Sequence, residues 1–233
     1  MIEIVKYKNN MSSEWDLFID NSMNGTIFHK RSFLSYHIDR QFKDASFIFK
    51  KRGQIISVFP AAIIDDCGKK VLFSHPGASF GGLIVNKISF SEILETIDLI
   101  ENYAAQNNFR ELKIIPTPLI YSKNNDESFL YALKLKNYFE QEQYYSSVIP
   151  IQKKIENQCQ LICKNNGRSY DFYDKIIDSN GLKVRWSNKI EEFYAILLKD
   201  KEKHKSKPTH SINELKKLFD LFPNQIKLLS VEK

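Results

Sequence analysis

The sequence predicts a mixed α/β (α+β) fold, a mixed sheet flanked by helices, and three observations carry that expectation. Runs of strand length recur in the first half, at Ile2 to Tyr7, Ser46 to Lys50 and Lys70 to Phe73. Ser89 to Asn107 instead places Phe90, Ile93, Leu94, Ile97, Ile100 and Ala104 at three- and four-residue spacing, the mark of an amphipathic helix. Strands, then helix, strand, helix and strand is the order of a domain in which helices cover a sheet.

Each element has its local reason. Ile2 to Tyr7 alternates apolar and polar residues, and Ser12-Ser13-Glu14-Trp15 supplies an N-cap ahead of Trp15, Phe18 and Ile19. Asn24-Gly25 marks a turn, and Arg31 to His37 reads as a short helix. Ser46 to Lys50 and Gln54 to Ile64 form a hairpin across Lys51-Arg52-Gly53, and Lys70 to Phe73 follows the turn Asp65-Asp66-Cys67-Gly68. Ser89 caps the long helix, and Arg110 to Ile115 is a strand that Pro116-Thr117-Pro118 stops. A helix over about Asp126 to Lys136 and strands over Tyr138 to Ile151 bring a first domain, residues 1–150, to its end.

The second domain, residues 151–233, opens with helices at about Lys153 to Cys163 and Tyr170 to Asp178, the latter closed by Ser179-Asn180-Gly181. Leu182 to Trp186 is a strand, and Glu191 to Lys199 a helix with Phe193, Ile196 and Leu197 inward. Ser211-Ile212-Asn213-Glu214 has capping-box spacing and opens a helix to Phe222, which Pro223 stops. Gln225 to Val231 is a strand with no helix after it, so the second unit reads as incomplete. Its open edge favours self-association.

Composition narrows the class. The chain has 233 residues, 42% apolar and 27% charged, as a globular protein does, and no apolar run approaches the roughly 18 residues of a membrane span. Its start lacks the pattern of a secretory signal, and Cys67, Cys159 and Cys163 complete no metal quartet, so structural thiols in the cytoplasm are expected. Residues 1–150 carry 17 basic and 17 acidic side chains, whereas 151–233 carry 17 and 11. The whole excess of +6 therefore lies in the last third, densest at Lys199 to Lys207. Two readings of that run stand: cations at a helix C-terminus, or a loop contacting the phosphates of a nucleotide, cofactor or tRNA. General nucleic-acid binding lacks any helix-turn-helix, RRM or zinc-finger pattern.

Ser74-His75-Pro76-Gly77-Ala78-Ser79-Phe80-Gly81-Gly82-Leu83 holds three of the eight glycines. Glycine permits positive φ and close backbone approach, which suits either a bulged turn or a ligand loop. The string is neither a Walker A loop nor a dinucleotide fingerprint. Taken with Thr26 to His37, Val58-Phe59-Pro60-Ala61, and Lys205-Ser206-Lys207-Pro208-Thr209-His210-Ser211 followed by Glu214-Leu215, its order and spacing resemble bacterial FemAB-like proteins of the GNAT acyltransferase superfamily. The resemblance covers almost the whole chain and is most specific at Ser74 to Gly82.

It implies two GNAT-like units side by side, the first in 1–150 and the second only begun in 151–233, so the chain is expected to be C-terminally truncated. The implied activity is acyl or aminoacyl transfer to a primary amine of an amino sugar or cell-envelope precursor, carried on a nucleotide- or lipid-linked sugar. The implied donor is acyl-CoA or aminoacyl-tRNA, with tRNA a possible partner and no metal. The sequence has no Arg/Gln-x-x-Gly-x-Gly/Ala pyrophosphate loop, which leaves a non-catalytic binding protein as the alternative. Within this picture His75 is the candidate base, Arg31 and Tyr36 fall in the acceptor groove, and Gly81 and Gly82 offer N–H groups beside Ser79 to an oxyanion or phosphate. Lys205 and His210 are candidates for the donor phosphate. Each also has a plain structural reading: a hydrogen-bonding loop histidine, a surface charge, a core ring, a bulged turn, a helix cap. His29 and His37, eight residues apart, make no metal pair.

Overall fold

The computed structural model describes residues 1–148 and 169–233; the expected helix at Lys153 to Cys163, with Cys159 and Cys163, and the expected boundary at Pro150 lie outside the described residues. The chain divides into two compact units, Met1–Phe139 and Glu140–Lys233. Among the described residues no helix is long and apolar enough to cross a membrane.

In chain order the first unit has the strands β1 (Glu3–Lys6), β2 (Lys43–Asp44), β3 (Phe47–Lys51), β4 (Gln54–Phe59), β5 (Ala62–Asp66), β6 (Lys69–Ser74), β7 (Ile84–Val85) and β8 (Glu111–Ile114). Its helices are α1 (Ser12–Asn21), α2 (Arg31–Leu34), α3 (Phe90–Gln106) and α4 (Ser128–Leu135), with 3-10 turns at Asn9–Met11, Ile27–His29 and Leu119–Tyr121. The strands sort into two sheets, β1-β3-β4-β7, antiparallel throughout, and β2-β5-β6-β8, in which β8 runs parallel to β6. Only the second sheet is mixed, and helices α1 and α3 pack against the strands.

Gln54 to Ile64, expected as one strand, is two, and each belongs to a different sheet. Pro60 has no N–H to give a ladder, so β4 ends before it and the chain crosses over at Ala61. Ser46 fixes that crossing: its hydroxyl accepts the Ala61 N–H at 3.1 Å and donates to the Ala61 carbonyl at 3.2 Å. The expected strands over Tyr138 to Ile151 are absent as far as Val148. Phe139, Tyr144 and Tyr145 are exposed there, and strand propensity expresses packing that these rings lack. The helix expected over Arg31 to His37 ends at Leu34.

Successive side chains on β3 face opposite ways. Phe47 and Phe49 pack with Phe59, Leu72, Ile93 and Ile97 on the α3 side, while Ile48 joins Trp15, Ile19, Val58 and Ile84 on the α1 side. Ser89 caps α3 as expected, and Glu92 joins it in a capping box.

The second unit has α5 (Tyr170–Ser179), β9 (Lys183–Ser187), α6 (Ile190–Lys203), α7 (Ile212–Leu221) and β10 (Leu228–Glu232). β9 and β10 form an antiparallel ribbon in which Trp186 faces Leu229 and Val184 faces Val231, all four exposed. Ser211 and Glu214 form the expected capping box. Ile196, expected inward, is 67% exposed, because α6 turns only its Phe193 and Leu197 side inward. α6 also runs four residues past its expected end at Lys199, placing Lys201 and Lys203 in its last turn near the free carbonyls. Beyond it Lys205 has φ 50° and donates its N–H to the Glu202 carbonyl, and Ser206 donates to Lys201. That is a Schellman closure with lysine in the place glycine usually takes.

Trp15 is fully buried and its indole N–H donates to the His29 carbonyl at 2.8 Å. Trp15→Ala is expected to cost about 3–5 kcal/mol, read as a lower urea midpoint. Leu17→Ala, on the exposed side of the same helix, is expected to stay within about 0.5 kcal/mol.

Candidate functional site

The glycine-rich loop leaves β6 at Ser74 and returns at Gly82. The Ser74 hydroxyl donates to the Pro60 carbonyl and accepts the Gly82 N–H at 2.9 Å. Gly82 has φ +80°, a conformation glycine adopts without penalty. At Gly81 the need is space: a Cβ would lie 2.7 Å from the Ser74 carbonyl carbon and 2.8 Å from the His75 nitrogen. The Gly81 N–H donates to the Ile115 carbonyl at 2.7 Å. These glycines let the backbone approach itself. The N–H groups of Gly81 and Gly82, expected as oxyanion or phosphate donors, are therefore already paired.

Three buried histidines surround the loop. His75 accepts the Gly77 N–H at Nδ1, 3.0 Å away. Burial, reinforced by the facing Arg31 guanidinium and only partly opposed by Asp44, pushes its imidazole down to about 4. A group so reluctant to take a proton is a poor general base near neutrality, and its Nδ1 is occupied. The geometry thus lends the expected base role no support. His37 places Nε2 2.9 Å from the Gly77 carbonyl. His29 accepts the Thr26 N–H at Nδ1, 2.9 Å away, and its Nε2 lies 3.3 Å from Thr117 Oγ1; burial holds it at about 4 as well.

A belt of ring contacts runs around the same loop. From Tyr121 it passes to Phe80, Phe28, Phe33 and Tyr36, with centroids 4.9–5.5 Å apart, then through His37 and Phe42 to His75. Tyr36 is 1% exposed, so the structure places it in this belt rather than on a groove. Arg31 is likewise committed inward. Its guanidinium lies 3.7 Å over the Tyr7 ring, pairs with Asp44 and donates to Ser46 Oγ at 3.0 Å. Ser79 is exposed at the loop tip. Lys205, exposed, and the half-buried His210, whose carbonyl accepts from the Tyr194 hydroxyl at 3.2 Å, belong to the second unit. Among the described residues no group of three or more His, Cys, Asp or Glu is arranged to hold a metal.

Sequence reasoning missed His29, His37, Phe42, Thr117 and Ser74 as loop partners. For His29 a signal existed: Thr26-x-x-His29 has capping-box spacing with imidazole in the acidic position, and the structure closes that box. The others meet the loop through contacts distant in sequence.

No protein-family model matches the chain, and no curated protein sequence does. Among solved structures, FemX superposes with a TM-score of 0.63 at 14% identity, over 98% of this chain and 57% of its own. The fold is shared with FemX. This chain thus spans just over half of the FemX chain it matches. Two acetyltransferases match more loosely. A ribosomal-protein-alanine N-acetyltransferase from Brucella melitensis biovar Abortus 2308 has TM-score 0.42 at 12% identity, over 64% of this chain and 99% of its own. Aminoglycoside 6'-N-acetyltransferase AAC(6')-Ih from Acinetobacter baumannii has TM-score 0.40 at 14% identity, over 65% and 100%. At these scores they add nothing to the FemX comparison.

Gly81→Ala is expected to destabilise the first unit by about 2 kcal/mol or more, since backbone must move on both sides, while Ser79→Ala changes the melting temperature little. Lys205→Gly relieves a left-handed lysine, which costs about 1–2 kcal/mol per residue, and is expected to raise thermal stability rather than lower it.

Proposed function

We propose that this chain is an N-acyltransferase, or the part of one, moving an acyl or aminoacyl group onto a primary amine of an amino sugar or cell-envelope precursor in the cytoplasm. The observation that carries the proposal is the FemX-like fold over 98% of the chain, joined to the sequence resemblance at Ser74 to Gly82. On this reading residues 1–150 are a first GNAT-like unit and 151–233 the start of a second. The neutral amine nitrogen attacks the donor carbonyl carbon, the ester or thioester bond breaks, and the proton lost by nitrogen passes through water to the departing thiolate or ribose oxygen, which leaves as the thiol or hydroxyl. Positioning supplies much of the rate in such a transfer, so no base need come from His75.

The loop's belt and histidines are proposed to hold the acceptor surface in shape, with Ser79 at its tip. Arg31 and Tyr36 act as its scaffold. Lys205 and His210 are proposed to meet the phosphates of an acyl-CoA or aminoacyl-tRNA donor.

Binding without turnover is the second reading. It is favoured by the paired N–H groups of Gly81 and Gly82 and by the low basicity of His75. The purified chain should be mixed with acyl-CoA thioesters or aminoacyl-tRNAs and amine-bearing sugar nucleotides, following thiol release or labelled aminoacyl transfer, with calorimetry on the same acceptors. Turnover supports the first reading. Acceptor binding with no product supports the second, and neither signal would remove both.

A further inference from the structure

We propose that His29 and His75 form an acid-sensitive lock on the loop, which is held while both rings are neutral and released when they take up protons. The two rings grip it at opposite ends. His75 holds the start by accepting the Gly77 N–H, and His29 reaches the far end, where Nε2 meets Thr117 Oγ1 and the Gly81 backbone. His29 also anchors that end to the Thr26 turn through Nδ1.

The geometry admits one protonation state. A backbone N–H can only donate, so a ring that accepts one at Nδ1 carries its proton on Nε2. A second proton must go to Nδ1, where it would face the Thr26 N–H at His29 or the Gly77 N–H at His75. Each bond then becomes two donors in opposition. Neither ring can turn to water in place, since His29 is fully buried and His75 is 2% exposed.

The groups facing each ring do not rescue the cation. His75 is faced by Arg31 from α2, by His37, and by Asp44 from β2, which already pairs with Arg31. His37 itself shows Nδ1 to Arg40 Nη2 at 3.2 Å. Around His29 stand the Thr26 and Thr117 hydroxyls and the backbone of Gly81 and Thr26, none of them anionic; the two backbone groups favour the charged ring, but less than burial disfavours it.

The sign follows from burial. Both rings sit near 4 in the closed loop, against 6.5 for an exposed imidazole. The lock is complete above about 6.5 and is lost as the pH falls towards 4. Within that window the open loop binds two more protons than the closed one, so its opening constant rises about 100-fold per pH unit.

Hydrogen exchange of the whole chain between pH 7.5 and 4.5, corrected for intrinsic rates, tests this. Peptides spanning residues 75–82 should lose protection with that steepness while α3 keeps its own. Asparagine offers an acceptor near Nδ1 and does not titrate, so His29→Asn or His75→Asn should each reduce the slope to about tenfold per pH unit. The double variant should flatten it. A wild-type loop with pH-independent protection, or a double variant with the wild-type slope, overturns the proposal. Should the variants fail to fold at pH 7.5, imidazole nitrogen shifts of the wild-type chain decide. Rings that stay neutral to about pH 5 while the loop is closed support the lock; either ring titrating near 6.5 in a closed loop overturns it.

Discussion

The Ser74 hydroxyl is bonded in both directions, giving its proton to the Pro60 carbonyl and accepting the Gly82 N–H. Pro60 is where the chain leaves the first sheet, and Gly82 is where the loop comes back towards β7. A single buried oxygen thus ties the crossing between sheets to the closing of the loop. A hydroxyl has one proton and turns it to suit, so both bonds are made in one orientation. Losing it would leave two buried backbone groups unpaired, at about 1–3 kcal/mol each. The Ser74 carbonyl also accepts the Ile115 N–H at 3.3 Å, carrying the same constraint into β8.

Arg31 extends this economy of polar contacts to the neighbouring segment. Ser46 Oγ gives its proton to Ala61 and accepts from both the Ala61 N–H and Arg31, which uses the full capacity of a hydroxyl. Arg31 also stacks on Tyr7, and its backbone N–H donates to Asp16 Oδ1 at 2.6 Å. The first turn of α2 is thereby fastened to α1 and to both sheets. Charged and aromatic groups that read from sequence as a ligand surface are largely occupied with one another.

The sequence was most informative where structure is local. Apolar spacing and the Ser89 and Ser211 caps located α3 and α7, because periodicity and capping act within a few residues. It misled where a distant partner decides. Nothing near Gln54 to Ile64 says that two sheets meet at Pro60, although the proline was in view. Nothing near Tyr138 says that no strand will come to pair with it. The glycine-rich string stood out correctly as unusual, but whether its glycines make room for a ligand or for backbone depends on Ser74 and Ile115, up to some forty residues away. The balance of the histidines is hidden for the same reason, since burial rather than residue type sets it.

The chain's two tryptophans are shared one to each unit. Trp15 is sealed in the first core with its N–H bonded, whereas Trp186 lies 68% exposed on the ribbon, with Lys227 Nζ 5.7 Å from its ring. Their light emission is therefore sorted by address. Trp15 reports an apolar setting that vanishes when the first unit opens. Trp186 already emits from water and stays within reach of soluble quenchers. A single fluorescence experiment with and without iodide can follow the two halves of this molecule separately, with no label attached.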